Sequence, residues 1–254
     1  MIQMTERSNE VAIDIRDIPP IGHPEAMRLA ETECERMLDL VRQLIGTDWS
    51  RPTDCTEWSV KDIVVHQLGE ADALGSIREM VHQMRAARQL PKTMARVDRL
   101  NAVHVSERRH LSTDQLPELL ARALRRALRA RRRAPALIRG IRFSADNFGR
   151  VSFGYMSDIV VTRDSFVHRV DIARATGKSM VVTGDHEGRI VADVVRDWAA
   201  HHGGGFTLRL TGPAGGTYHA GSGGEEIALD GIQFCRILSG RDPGDGLLTT
   251  QVPF

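Results

Sequence analysis

Apolar residues recur at three- and four-residue steps through most of the chain up to Gly177 and give way to short alternating runs after it. From about Pro24 to Ile45, Met27, Ala30, Met37, Leu38, Val41, Leu44 and Ile45 fall among Glu and Arg at helical spacing, and Gly46 ends the run. This predicts a first amphipathic helix. Ser59, with Asp62 three positions on, has the form of a capping box. The second helix that it opens runs on through Ile77, Met80, Val81 and Met84 and breaks at Pro91. A third helical stretch begins near Val97, with a break at Ser112 or Pro117, and continues through Leu119, Leu120, Leu124, Leu128, Leu137 and Ile138. The fourth, about Ser157 to Thr176, carries Ile159, Val160, Phe166, Val167, Val170 and Ile172 and closes on Gly177, a C-terminal glycine signal. Four long helices predict a bundle.

Past Gly177 the pattern predicts a helix from about Glu187 to His201, a strand at the alternating Phe206-Thr-Leu208-Arg-Leu210 and another near Thr217 to Ala220. Ala228 to Leu238 reads as a last helix ended by Gly240, and Leu247 to Phe254 as a final strand. That mixture is α+β. The expected organisation is a helical domain over 1–179, with 1–22 an N-terminal extension punctuated by Pro19-Pro20 and Gly22, and a smaller α+β domain over 180–254.

Composition narrows the function classes. A chain of 254 residues, 41% hydrophobic and 26% charged, is ordinary globular protein and long enough for a sizeable core. Its formal net charge of +1 supplies no global attraction to nucleic acid or anionic lipid. No uncharged apolar run is long enough to cross a bilayer. Cys34, Cys55 and Cys235 are scattered, odd in number and without C-x-x-C spacing, which points to free thiols in a reducing, cytoplasmic compartment. The arginine-dense stretch Arg122, Arg125, Arg126, Arg129, Arg131, Arg132 and Arg133, followed by Arg139 and Arg142, is the one local basic signal that stands out. Read functionally, it makes a nucleic-acid-binding or regulatory module. It has no interleaved aromatics for base stacking, and a solvated helix face explains it as well.

The candidate chemistry lies elsewhere. Asp164 and His168 are four apart on the fourth helix, so they share a face and can approach one cation together. His66, about two turns into the second helix and turned to the bundle interior, can complete a three-ligand site for zinc, iron or nickel with a position left for water or substrate. A lone interior histidine is also an ordinary satisfied core residue. Asp171, one turn past His168, either accepts the imidazole's other N–H or forms a surface ion pair with Arg174 or Arg169. Glu70, four after His66, is a fourth ligand or a proton shuttle, or else a solvated or capping charge. Cys55 stands in the loop before the metal helix, near the site or as a structural thiol. His82, His104, His110, His186 and His219 have no partner visible in the sequence, and His201-His202 read as charges at a helix C-terminus.

The segments Trp49, Pro52-Thr53, Cys55, Trp58-Ser59-Val60 and His66-Gln-Leu-Gly, together with Arg163-Asp164-x-x-x-His168-Arg169-x-Asp171-x-Ala173-x-Ala175-Thr176-Gly177, resemble two motifs of the mycothiol-dependent maleylpyruvate isomerase family, within the DinB-like metalloprotein superfamily. Asp230-Gly231 through Phe234, Leu238-Ser-Gly240-Arg241 and Val252-Pro253-Phe254 resemble its C-terminal domain, so the likeness runs over nearly the whole chain. The resemblance implies a DinB-like four-helix metal-binding bundle, a sterol-carrier-like α+β domain, and a divalent metal with mycothiol as cofactors. The implied activity is that of an isomerase or S-transferase. Its metal ligands would be His66, Asp164 and His168, and its partners a small thiol and an electrophilic substrate, in a monomer or homodimer. The family pattern more often has glutamate where this chain has Asp164. Arg96, Asn101, Arg236 and Arg241 are the candidate contacts for an anionic thiol or substrate. The alternative from another class is a non-catalytic binding or regulatory scaffold of the same fold.

Overall fold

The computed structural model describes residues 12–145 and 148–254; residues 1–11, half of the expected N-terminal extension, lie outside the described residues. Those described form two compact units, one of residues 21–181 with Pro253–Phe254 and one of residues 12–20 with 182–252. The fold is mostly helical with a small sheet.

A two-residue strand, β1 (Ile13–Asp14), precedes α1 (His23–Arg42), which carries Pro24 in its first turn and buries Met27, Ala30, Glu33, Met37 and Val41. Helix α2 (Val60–Gly75) opens on the capping box: Asp62 N–H donates to Ser59 Oγ at 3.3 Å, and Ser59 N–H donates to Asp62 Oδ2 at 3.0 Å. The apolar period then continues across a break that the sequence hides. Ser76 turns to extended backbone and accepts from Glu79 N–H, so the predicted second helix is two helices, α2 and α3 (Ile77–Gln89). The predicted third stretch likewise divides into α4 (Arg96–Arg108) and α5 (Leu116–Arg133), with Pro117 in the first turn of α5, where its missing N–H costs nothing. After the short α6 (Ala136–Arg139) and a hairpin of β2 (Arg142–Ser144) and β3 (Arg150–Ser152), the chain turns helical at α7 (Phe153–Tyr155). It passes through a π-helical turn at Met156–Val160 into α8 (Val161–Thr176), which Gly177 ends in the left-handed region at φ 69°.

Helix α2 packs against α5 and α4, α3 against α2 and α4, and α1 against α5 and α8. Met37, Val41, Ile63, Val64, Leu116, Leu120 and Ile172 fill the space between them. Where α4 crosses α2 the contact is Gly69. A methyl group there would stand 2.7 Å from His104 Cβ and 3.0 Å from its Cα, so the glycine is what lets the two backbones approach.

The other unit comprises α9 (Arg189–His202), β4 (Phe206–Thr211), β5 (Gly216–Ala220), β6 (Glu225–Asp230) and α10 (Gly231–Leu238) around Trp198, Phe206 and Phe234. Its sheet has the order β1-β5-β4-β6, with β4 antiparallel to β5 and parallel to β6. Residues 13–14, part of the expected extension, pair with Tyr218 and His219 in this sheet. The helix expected from Ala228 starts at Gly231 instead: 225–230 extends along β4, and Asp230 caps α10 by accepting from Ile232 and Gln233 N–H. The expected final strand is a 3-10 turn, Gly246–Thr249, followed by irregular chain. His202, expected as a charge at a helix end, packs on the Trp198 ring at 4.3 Å, and burial lowers its pKa.

Alanine at position 69 raises helix propensity by about 0.8–1 kcal/mol, whereas overpacking against a neighbouring backbone costs about 1–3 kcal/mol. Gly69→Ala is therefore expected to lower the thermal midpoint; a midpoint equal to or above that of the wild type would contradict the close approach of α2 and α4.

Candidate metal centre

Residues 164 and 168 stand one turn apart on α8, and His168 Nε2 is 3.3 Å from Asp164 Oδ1. From α2, His66 Nε2 comes to 3.4 Å from Asp164 Oδ2, and the neighbouring Gln67 Nε2 donates to that same oxygen at 2.6 Å. One ligand atom from each of His66, Asp164 and His168 lies within 4.8 Å of the others. Two donors held about 2.1 Å from one tetrahedral cation stand about 3.4 Å apart, so the spacing and the nitrogen-nitrogen-oxygen donor set fit a divalent transition metal. Both imidazoles are 4% exposed and the Asp164 side chain 18%, so the site meets solvent on its carboxylate side. The π-helical turn ends four residues before Asp164, a placement common at functional sites.

A hydrogen-bonded chain sets the proton on His66. Gln83 Nε2 donates to Gly69 O and to Glu79 Oε1, both at 2.9 Å, which turns Gln83 Oε1 toward His104. That oxygen can only accept, so His104 Nε2 carries a proton and donates to it at 2.9 Å. Burial, with repulsion from any charge that His66 takes up and from Arg108, holds the His104 pKa well below its ordinary value. Neutral His104 thus has a lone pair on Nδ1, 3.2 Å from His66 Nδ1, and accepts from it. In neutral His66 the lone pair is then on Nε2, the atom that faces Asp164 and His168.

His168 is held from its other side. Its Nδ1 lies 3.1 Å from Asp171 Oδ2, which also accepts from Cys55 Sγ at 3.4 Å. Arg174 pairs with Asp54 at 2.7 Å and Arg169 with Glu33. Trp58 covers the imidazoles, its ring centroid 4.8 Å from that of His66 and 5.7 Å from that of His168. Burial opposes charge on both partners of the 164–168 pair, yet mutual attraction and their hydrogen bonds prevail: Asp164 is held well below the usual carboxylate range and His168 well above the usual imidazole range.

Glu70 is no surface charge. It lines a small cavity of about 20 Å³ with Gln67, Arg131, Thr162 and Ser165, room for about one water. Burial and the nearby Asp164 charge, against Arg131 and His168, push its carboxyl up to about 8. Arg96 and Asn101 lie on α4, with the Arg96 guanidinium 5.9 Å from the Phe143 ring centroid. Arg236 and Arg241 belong to the other unit, where Arg236 Nη1 is 2.7 Å from Asp242 Oδ2 and 2.6 Å from Gln233 Oε1. Sequence reasoning missed Gln67, Gln83 and His104. The pairing of His104 with His66 spans 38 positions, and its one trace in the sequence is the glycine inside α2 that admits α4.

Two histidines and one carboxylate on two helices, with a second carboxylate behind one histidine, form a donor set that could hold a metal ion. A model of the mycothiol maleylpyruvate isomerase N-terminal domain matches residues 30–173, more than half of the chain and the stretch that carries His66, Asp164 and His168. The chain belongs to that family. Two solved structures share its fold: the mycothiol-dependent maleylpyruvate isomerase, with a TM-score of 0.56, and a histidine-to-alanine mutant of it, with a TM-score of 0.58. Each is 17% identical over 90% of this chain and 92% of the other. No curated protein matches the sequence.

Nitrogen-resolved NMR of the metal-free protein should place the His66 proton on Nδ1 and the His104 proton on Nε2. His168 should keep both ring protons as pH rises through the ordinary imidazole value of 6.5. Gln83→Leu removes the acceptor and should leave His66 as a mixture of tautomers; a wild-type His66 protonated on Nε2 would break the assigned chain of donors.

Proposed function

We propose that this chain is a metal-dependent enzyme that uses mycothiol, an isomerase or S-transferase acting on an electrophilic small molecule. The observation that carries this reading is the convergence of His66 Nε2, His168 Nε2 and the Asp164 carboxylate inside the segment matched to the family. His66, Asp164 and His168 would hold the cation, zinc before iron or nickel. Bound there, a divalent cation lowers the pKa of a thiol so that thiolate exists at neutral pH.

The chain's own residues do the rest. Asp171 keeps the His168 Nδ1 proton and so frees Nε2; the Gln83–His104 chain does the same for His66. Gln67 fixes the rotation of the Asp164 carboxylate. Glu70, with its carboxyl raised to about 8, holds a proton near Asp164 at neutral pH. Trp58 excludes water from the imidazole faces. The thiolate sulfur bonds to the electrophilic carbon. In an isomerase a cis double bond becomes single, rotates, and re-forms as the same thiolate leaves; in a transferase the adduct takes up a proton and departs.

We read 1–179 and 180–254 as a DinB-like four-helix bundle and a sterol-carrier-like α+β domain, supported by the packing of α1, α2, α5 and α8 and by the small sheet. Of the four candidate contacts for an anionic thiol or substrate, Arg236 fits the role least, since its charge is met by Asp242. Three free cysteines accord with a reducing, cytoplasmic compartment, and the reading holds for monomer or homodimer.

Elemental analysis of protein purified without a metal-affinity tag is expected to find about one equivalent of metal, lost in His66→Ala and His168→Ala together with thiol-dependent turnover in conjugation and cis–trans assays. Wild type that takes up no metal even from added zinc, iron or nickel would leave the scaffold in its place. Metal must displace the His168 proton, so uptake should release it to buffer, and apparent affinity should rise about tenfold per pH unit until His168 is deprotonated.

A further inference from the structure

Most of the arginines prominent in the sequence already have partners. On α5, Arg122 and Arg125 approach Glu118, Arg126 binds Asp72 at 2.6 Å, Arg132 binds Glu31 at 2.6 Å, and buried Arg131 donates to Thr162 Oγ1 at 3.0 Å. The less conspicuous cations between positions 84 and 100 are different. That stretch holds Arg85, Arg88, Lys92, Arg96 and Arg99 against the single carboxylate Asp98, five positive charges to one negative in a chain whose total is +1.

Three of these converge. Arg88 from the end of α3 and Arg96 and Arg99 from the start of α4 line one pocket of about 260 Å³, whose remaining walls are Met84, Ala87 and Leu100. Among the described residues none of the three guanidiniums has a carboxylate within ion-pair distance. Arg99 Nε is buried without any hydrogen-bond partner. A buried guanidinium N–H beside the pocket is a donor that an acceptor in the pocket can meet. Ala95, at the head of α4, offers no side-chain cap, so the positive end of the helix dipole adds to the same field. Like charges crowded without a counter-charge repel one another, and a bound anion relieves that repulsion.

We propose that this pocket binds a small polyanion, a molecule bearing two or more carboxylate or phosphate groups. Guanidinium forks match both groups bidentately. The volume admits a small acid rather than a nucleotide, since drug-sized ligands occupy about 300–1,000 Å³. Met84, Ala87 and Leu100 offer apolar contact to the short carbon frame between the anionic ends. The site stands whether or not the metal centre uses a thiol.

Calorimetric titration of the full chain with tricarballylate, and separately with inorganic phosphate, at constant ionic strength tests this. Wild type and His66→Ala should bind one of the two equally well, because the pocket is independent of the metal ligands. Arg88→Gln and Arg99→Gln should each weaken that binding at least tenfold, while Arg122→Gln, which removes an arginine already beside Glu118, should not. Preference between the probes assigns a carboxylate or a phosphate ligand. Should Arg99→Gln fail to fold, exposed Arg88→Gln decides alone. No binding by wild type, equal binding by all variants, loss in His66→Ala only, or binding of duplex DNA in place of both small anions would overturn the proposal.

Discussion

The structure turns on one constraint: α8 is buried and polar at once. Thr162, Arg163, Ser165, His168, Arg169 and Asp171 are all buried, and Asp164 is nearly so. Polar groups cannot leave water without partners, so the surrounding helices must supply them. Arg169 makes a bidentate pair with Glu33 of α1, at 2.7 and 3.0 Å, with both side chains 1% exposed. Arg163 donates to Pro253 O, Arg131 of α5 donates to Thr162, and Cys55 donates to Asp171. Rotating α8 by one residue, about 100°, would break all of these together. The buried ion pair contributes little net stability, because desolvation of two charges offsets most of their attraction. Its effect is to make other rotations of α8 costly, and the allowed one turns Asp164 and His168 to α2.

That orientation makes the site two layers deep without any unusual local structure. The layer that faces a ligand is two imidazoles and a carboxylate; the layer behind it, Asp171, His104, Gln83 and Gln67, determines where protons and lone pairs lie. The outer arm ends in Arg108, which donates to Glu79 at 2.8 Å and to Asp72 at 3.2 Å, and so anchors the donor chain at the helix ends. A metal-ligating histidine is useful only in the right tautomer. Here Asp171, an acceptor, holds the Nδ1 proton of His168, and the Gln83 amide acts on His66 through neutral His104.

The legible parts of this arrangement are those with local rules. The step from Asp164 to His168, the capping box at Ser59 and the terminal glycine of α8 each follow from helix geometry within a few residues, and all stand in the structure. Where a rule needs a partner far along the chain, the sequence is silent. The break at Ser76 is different, for Ser76 and Glu79 form a local cap whose signal is masked by an apolar period that runs on through α3. Residues 225–230 form a strand because β4 offers an edge, and nothing within 225–230 announces it. His104 lacks a neighbour at helical spacing, and its role depends on Gly69 letting α4 approach. Charge is the instructive case: density along the chain singled out α5, whereas in space most α5 arginines meet partners and Arg88, Arg96 and Arg99 share one pocket without a carboxylate.

Asp164 shows how a departure from a common motif is accommodated. A side chain one methylene shorter than glutamate reaches less far from α8, so α2 must come closer or the carboxylate must be held at full reach. The structure does the second with Gln67, whose 2.6 Å hydrogen bond pulls Oδ2 toward α2 while Oδ1 faces His168. A charge-neutral donor suits this task. A lysine or arginine in place of Gln67 would add a second cation beside the one proposed to bind there, and Coulomb repulsion at that distance is worth several kcal/mol at an effective dielectric near 20. The amide orients the carboxylate and leaves its negative charge for the cation. The short carboxylate and the adjacent glutamine therefore form one functional unit, split between two helices and joined at a single oxygen.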